Sequence, residues 1–341
     1  MKAARLEVVW CLSVLMVQWA AMEVSAVTRE QIIPIEKGWN AVFLEVHPEN
    51  PEPSNVFGGT PVEIAAALYR PVTPAQFATN PSADLLRQTG WGVWYADRRA
   101  DAFLSSLHSI YGQRAYLIYA SANFVWKVTG TVLPPEIVWA PDSFNFVGFA
   151  VRPQAGPTFA QFFSGSKAHQ MNRIYRLVGG TWKRVADPSA EAMRSGEAFW
   201  IYCAGASKFQ GPLKVETTTR KGLTPGVSGD DLRLRNQANY PVTATIEHVP
   251  GTGSPVPLSL VITALGGGFP PTRAVSTPLP EGAWSQRLPA LEQGETLKVP
   301  FEARAGSSHQ ETRASILKIS SDAGTEIYIP VFSRRRDLEE K

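Results

Sequence analysis

The side chains that could bind a metal or transfer a proton are scattered along the sequence. The histidines show neither an H-E-x-x-H pattern nor a His-Cys spacing. They are His47, His108, His169, His248 and His309. The serines of "FSGSKA" and "PGVSGDD" lack the G-x-S-x-G form that exposes a nucleophile. Asp230 and Asp231 are adjacent, so on an extended chain their carboxylates point to opposite faces. The sequence therefore predicts no catalytic residue, no metal site and no cofactor.

Aromatic rings are the strongest candidates for recognition, because an exposed ring can stack on a sugar or anchor a protein partner. We expect Trp126, near a turn, and Trp182, between Thr181 and Lys183, to be exposed. With Trp94 they form the candidate ligand-binding set. The alternative is that the tryptophans fill the core.

The first 26 residues have the composition of a signal peptide. Lys2 and Arg5 precede the apolar run "VVWCLSVLMVQWAAM", and Val24-Ser25-Ala26 suits cleavage before Val27. An uncleaved membrane anchor is the alternative, although the run is shorter than the ~20 residues of a spanning helix. We expect an exported protein that is periplasmic, cell-surface or extracellular, with no membrane span after cleavage. Export would leave Cys203 as a buried, inert thiol without a disulfide partner.

Composition indicates a globular chain and argues against a nucleic-acid partner. The 341 residues are 44% hydrophobic and 18% charged, with a formal net charge of +3. That charge is too small for a surface that follows a phosphate backbone. The basic cluster Arg334 to Arg336 precedes acidic residues, and we interpret 334–341 as a solvated charged tail.

The sequence pattern of one half-buried strand occurs twice in the chain. "GWNAVFLEV" from Gly38 and "SFNFVGFAV" from Ser143 align when Asn40 is placed opposite Asn145. Period-two alternation then puts three apolar pairs on equivalent faces. The pairs are Val42 with Val147, Leu44 with Phe149, and Val46 with Val151. "GQRAYLIYASANFVWKVTGTV" and "GEAFWIYCAGASKFQGPLKV" match in the same order. The sequence predicts one β-rich module used twice, at 27–135 and 136–216.

The copies differ by an extra segment, roughly Pro71 to Gly90, which is either a recognition loop or a decoration. Short helices are expected inside the modules. Thr60, Pro61 and Glu63 form a capping pattern before "IAAAL". A second helical stripe begins at Asp101.

The "GWN" strand opening, the glycine-led strands "RAYLIYA" and "EAFWIYC" and the closing "VTG" turn resemble small repeated β-modules of secreted bacterial proteins. The resemblance covers roughly Ile32 to Val215. It implies export and modularity, and it brings no catalytic residues. In the second copy Ser143-Phe144 replaces Gly-Trp.

A polar, glycine-rich and threonine-rich linker is predicted at 217–229, followed by an antiparallel β-sandwich at 230–333. Alternation places two sets of side chains in its core. These are Leu297, Val299 and Phe301, and Ile327, Ile329 and Val331. The pattern resembles immunoglobulin-like domains of bacterial surface proteins. The predicted fold class is therefore mainly β.

Three functions compete. The favoured one is a non-catalytic exported structural or interaction protein of the cell envelope or surface, with an envelope or extracellular protein as partner. The second is a carbohydrate-binding protein that uses exposed aromatic residues on a polysaccharide. The third is a hydrolase with its site at the interface between the repeats, which would need paired carboxylates or a histidine with a partner.

Overall fold

The computed structural model describes residues 27–69, 90–169, 173–225, 229–250, 255–265, 272–280, 282–304 and 313–333. The predicted signal peptide, the charged tail and nearly all of the extra segment lie outside the described residues. The described chain is mainly β, as predicted, and its sheets are antiparallel.

The described part of residues 27–135, the predicted first module, forms two sheets. Its strands are β1 (Thr28–Ile35), β2 (Gly38–Leu44), β3 (His47–Pro48), β4 (Val62–Leu68), β5 (Trp91–Tyr95), β6 (Arg114–Ala120) and β7 (Phe124–Thr131). One sheet has the order β1-β7-β3 and the other β2-β6-β4-β5. A short helix, α1 (Pro53–Val56), has proline in its first turn, where no amide hydrogen is needed.

Residues 136–216, the predicted second module, contain another four-stranded sheet. Its strands are β8 (Ser143–Gly148), β9 (Ile174–Val178), β10 (Thr181–Arg184), β11 (Ala198–Cys203) and β12 (Leu213–Thr217), and the helix α2 (Phe159–Phe162) is closed by a capping box from Thr158. The sheet order β8-β11-β9-β10 matches β2-β6-β4-β5.

The register of the two sheets also agrees. Asn40 lies opposite Ile118 in the first sheet, and Asn145 lies opposite Ile201 in the second. Asn40 and Asn145 thus occupy equivalent positions in the two sheets, as their alignment in the sequence requires. The origin of both sheets in one duplicated module, and the resemblance to secreted "GWN" proteins, stay predictions.

The two modules are stacked in layers with three apolar cores. Val42, Leu44 and Val46 face the core between the three-stranded sheet and the first four-stranded sheet, as alternation predicts. Phe149 and Val151 face the core behind the second sheet, which α2 covers, and Val147 packs on it. The intervening positions of β2 and β8 fill a core between the two four-stranded sheets. Its buried members are Ala41, Phe43, Ile64, Ala66, Trp91, Val93, Ala115, Leu117, Phe144, Trp182, Ala198 and Trp200.

A β-sandwich follows, as predicted. Its strands are β13 (Asp230–Asn236), β14 (Ala244–Pro250), β15 (Leu258–Leu265), β16 (Thr272–Pro278), β17 (Trp284–Arg287), β18 (Thr296–Ala303), β19 (Ala314–Ser321) and β20 (Glu326–Phe332). They form sheets of order β12-β13-β18-β15-β16 and β17-β14-β19-β20. Val299, Phe301 and all three predicted residues of β20 are buried between these sheets, and Leu297 packs against them.

The predicted limits between the units stay a prediction, but one pairing crosses them. β12, assigned to the second module, is an edge strand of the sandwich because it pairs with β13. The predicted linker contains Leu223, which is fully buried and donates its N–H to Pro330 O at 2.9 Å. This part of 217–229 is therefore packed on β20.

The predicted helix after Thr60 is wrong, because Val62–Leu68 is strand β4. Thr60 caps a turn instead: its hydroxyl donates to Phe57 O and accepts from the N–H of Val62. Both faces of β4 are buried, and burial on two sides favours a strand over the local capping signal. The stripe after Asp101 forms only a 3-10 turn, Ala102–Leu104. Within the described chain, no helix is long and apolar enough to cross a membrane.

Candidate functional site

Two of the three candidate tryptophans lie inside the first module. Trp126 is 2% exposed and Trp94 is 6% exposed. Both rings stack on Phe57, at centroid distances of 5.1 Å and 5.3 Å. The expectation that Trp126 is exposed is wrong, because along β7 the neighbours Val125 and Lys127 take the outward positions and alternation turns Trp126 inward.

Trp182 fills the core between the two four-stranded sheets. It is 6% exposed and lies edge-on to Trp200 at 6.2 Å and to Phe146 at 5.9 Å. The expectation that Trp182 is exposed is also wrong. Its exposed neighbours Thr181 and Lys183 indicate the inward position of a strand, since period-two alternation separates polar from apolar faces. None of the three tryptophans offers a ring face to a ligand.

The asparagines of the paired strands have a structural role. Asn40 Nδ2 donates to Glu36 O at 2.7 Å and to Gly38 O at 3.0 Å, and its Oδ1 accepts from the N–H of Glu36. Asn145 makes the same three bonds to Ala140 and Ser143. Each side chain closes the turn that leads into its strand. The asparagine at this position is therefore explained by its hydrogen bonds to backbone N–H and C=O groups.

Solvent-exposed aromatic rings occur elsewhere, on the first module. Tyr69 is 48% exposed and Tyr111 is 46% exposed. The guanidinium of Arg114 lies over both rings, 5.1 Å and 5.8 Å from their centroids. His47 stacks on Tyr111 at 5.6 Å. Tyr69 and Tyr111 are not contiguous in sequence, and no local signal marked them.

The arrangement closest to a hydrolytic site joins Ser166 and His169. A 2.6 Å hydrogen bond links Ser166 Oγ to His169 Nδ1, and both residues are buried. The imidazole lies 4.0 Å from the Trp139 ring, and burial lowers the pKa of His169 to about 4. A base with so low a pKa resists the positive charge that activation of a serine requires. We therefore interpret the Ser166–His169 hydrogen bond as a contact that stabilises this turn.

The core between the two four-stranded sheets is filled by apolar and aromatic side chains. Cys203 is fully buried, as expected, and burial raises the pKa of its thiol. Among the residues that the structure describes, no group of three or more His, Cys, Asp and Glu side chains could hold a metal ion.

A buried polar cluster joins all three units. Glu45 of the first module is 5% exposed, forms a salt bridge with Arg29, and has Ser195 of the second module and Glu326 of the sandwich beside it. Burial raises the pKa of Glu45 to about 7 against the opposing effect of Arg29. Arg29 also lies 4.1 Å from the ring centroid of Tyr328.

A second feature is an open cleft of about 370 Å³ where the second module meets the sandwich. Three cationic side chains line it: Lys167, Lys208 and Arg235. The remaining lining residues are Gly165, Ser166, Ala168, Ala206, Ser207, Phe209, Asn236, Gln237, Ala238, Gln293 and Gly294. No acidic side chain belongs to this lining.

No protein-family model matches this chain, and no curated protein sequence matches it either. Among solved structures, it is similar to the Salmonella enterica SafA pilin in complex with the SafB chaperone. That match has 13% identity, a TM-score of 0.24, and coverage of 37% of this chain and 57% of that chain. PapD-like domain 7 of human CEP192 matches at 11% identity and a TM-score of 0.22, over 38% of this chain and 87% of that one. The CupB6 tip adhesin from Pseudomonas aeruginosa matches at 9% identity and a TM-score of 0.20, over 92% of this chain and 99% of that one. TM-scores this low carry no argument about function.

Proposed function

We propose that this chain is a non-catalytic exported scaffold that presents a fixed surface to an envelope or extracellular protein. The observation that carries the proposal is the joining of its three units. The two modules share one apolar core, and Phe43 N–H donates to Gly196 O at 2.8 Å across it. A spacer or docking protein needs this stiffness, because a surface held in one geometry loses little entropy on binding.

The sandwich is attached to both modules. Arg152 N–H donates to Gly324 O at 3.0 Å, and Glu326 N–H donates to Ala150 O at 3.1 Å. A small apolar cluster packs the first module on the same sandwich sheet; it consists of Val27, Val132, Ala314 and Ile316. These contacts support a single body in which the units do not move independently.

The proposal is tested by site-specific photocrosslinking in the native host. A benzophenone amino acid is placed in turn at four exposed apolar positions, Ile32, Phe103, Val125 and Val138. We expect a discrete adduct with one envelope or extracellular protein from a contiguous subset of these positions and none from the others. Absence of an adduct at every position, with the protein present in the envelope fraction, would contradict the proposal. Release of sugar or peptide products from envelope polymer by the purified chain would contradict its non-catalytic part.

A second candidate function, carbohydrate binding, is favoured by the half-exposed rings of Tyr69 and Tyr111 around Arg114. Sugar faces stack on such rings, and a guanidinium donates to hydroxyl groups. The test is a polysaccharide array with the Tyr69→Ala/Tyr111→Ala variant. Phe103→Ala, which removes an exposed ring elsewhere, is the matched control. Binding that survives loss of both tyrosines would exclude this surface.

A further inference from the structure

We propose that the cleft between the second module and the sandwich binds an anionic saccharide, a sugar unit that carries a carboxylate or a phosphate. The site lies apart from the Tyr69 and Tyr111 surface, and it does not depend on the scaffold role.

Three positively charged side chains line this cleft, and no described acidic side chain lines it with them. Lys167 follows α2, Lys208 lies between β11 and β12, and Arg235 lies on β13. All three are exposed, and none forms an ion pair with another described residue. Cations that line one concavity reinforce each other's potential, because the low-dielectric walls focus the field into the opening. The occupant that this field favours is an anion.

Two acidic residues of the sandwich lie next to the lining in sequence. Glu292 and Glu295 flank the lining residues Gln293 and Gly294, and Glu295 Oε2 accepts a 2.8 Å hydrogen bond from the N–H of Glu292. That bond holds one carboxylate in its own turn, outside the lining. Among the described residues, the lining itself thus contains three cations and no carboxylate.

Contacts within the protein fix the walls of the cleft without a ligand. Gly165 touches the chain at Gln237, where a Cβ would lie 2.7 Å from Gln237 C and 3.0 Å from Ala238 Cα. Gln210 N–H donates to Gln237 Oε1 at 3.0 Å, and Gln237 N–H donates to Pro212 O at 2.7 Å. Fully buried Asn236 donates to Leu291 O. A site fixed in this way has little ordering cost to meet on binding.

Size and lining indicate a saccharide in preference to a bare ion or a nucleobase. About 370 Å³ lies at the lower end of the range for small-molecule sites. The hydroxyl of Ser207 and the amides of Gln237 and Gln293 suit the hydroxyl groups of a sugar. Phe209, the aromatic member of the lining, is buried at 5% exposure, so it offers no platform for a base.

The experiment is isothermal titration of the chain from Val27 onward with three probes: a galacturonate trimer, inorganic phosphate and neutral maltotriose. We expect the uronate to bind, added salt to weaken it, and the other two probes to bind more weakly. Lys167→Glu/Lys208→Glu should weaken uronate binding about tenfold or more, because it reverses two contacts with the ligand charge.

The matched control, Lys127→Glu/Lys183→Glu, changes the net charge equally at exposed strand lysines outside the cleft. It should leave binding within about twofold. Equal losses in the two variants, or binding of maltotriose as tight as that of the uronate, would overturn the proposal. Equal binding of inorganic phosphate would overturn the saccharide assignment. Tyr69→Ala/Tyr111→Ala should leave this binding intact, which separates the cleft from the second candidate function.

Discussion

The packing of the two modules predicts a specific coupling between Phe43 and Gly148. These residues contact each other across the core between the four-stranded sheets. A Cβ at position 148 would lie 2.7 Å from Phe43 Cδ2 and closer still to Phe43 Cβ and Cγ. Carbon atoms at optimal separation are about 3.5–4.0 Å apart, so Gly148→Ala would force the strands apart by more than about 1 Å. Overpacking of this kind costs about 1–3 kcal/mol of the free energy of unfolding.

The source of the strain is tested by changing Phe43. Phe43→Gly removes the three atoms nearest to the new methyl group, at a cost of about 3–5 kcal/mol for the ring and ~0.5–1 kcal/mol for glycine in a strand. In this background Gly148→Ala should cost clearly less than in the wild type. Phe43→Ala is the matched control, because it removes the ring but leaves the Cβ in place. In the Phe43→Ala background, Gly148→Ala should therefore still lower the free energy of unfolding.

The assay is urea unfolding of the three single variants, the two double variants and the wild type, followed by tryptophan fluorescence. The expected coupling energy is about 1–3 kcal/mol for the pair with Phe43→Gly. Equal costs of Gly148→Ala in the wild type and in the Phe43→Gly background would refute the contact and, with it, the face-to-face stacking of the modules.

Three further predictions follow from the site. Asn145→Ala should destabilise more than Asn40→Ala, with costs of about 1–3 kcal/mol by urea unfolding, because Asn145 is buried and its lost bonds cannot be replaced by water; equal costs would contradict this. Trp126→Ala should cost about 3–5 kcal/mol by the same assay, while a cost near zero would mean that the ring is exposed after all. Burial raises the pKa of Glu45 from 4.5 to about 7, so its protonated form stabilises the fold below pH 4.5 and this contribution is lost as the pH rises through 7. The free energy of unfolding of the wild type minus that of Glu45→Gln should therefore fall by about 3 kcal/mol between pH 4.5 and 7.5. The two proteins are compared because the lowered pKa of His169 makes both of them more stable as the pH rises, and the subtraction removes this shared effect.

Period-two alternation predicted most of the strand faces. It placed Val42 and Leu44 on one side of β2, and Val299 and Phe301 inside the sandwich, because each strand carries its own inward and outward pattern. It failed where both faces are buried. In β4 the run "IAAAL" shows no alternation, so the capping pattern at Thr60 gave the misleading signal of a helix.

The tryptophans show a different limit. Polar neighbours beside Trp182 were interpreted as a sign of exposure, but on a strand they mark the opposite face. The rings of Tyr69 and Tyr111, which are exposed, are placed beside Arg114 only by the sheet. The polar junction of Arg29, Glu45 and Tyr328 and the basic cleft join residues far apart in sequence, so no local pattern could predict them.

The contact of Phe43 with Gly148 also bears on the repeat itself. In the register that pairs Asn40 with Asn145, these two residues occupy the same position of the module. The two equivalent strands therefore meet at this position in the stacked sheets, where two phenylalanines would collide and two glycines would leave a void. Packing of two sheets with the same register against each other requires unlike residues at such a crossing.

The change from Gly38-Trp39 to Ser143-Phe144 has a similar explanation. Phe144 is buried in the core between the sheets and lies edge-on to Tyr175 and Tyr202, at 5.8 Å and 5.3 Å. Trp39 packs at the edge of the same core against Tyr119. The differing residues thus serve the interface between the modules, and the shared asparagines serve the turns. Packing therefore accounts for the difference between the two strand openings, and the predicted repeat needs no common binding signature to explain them.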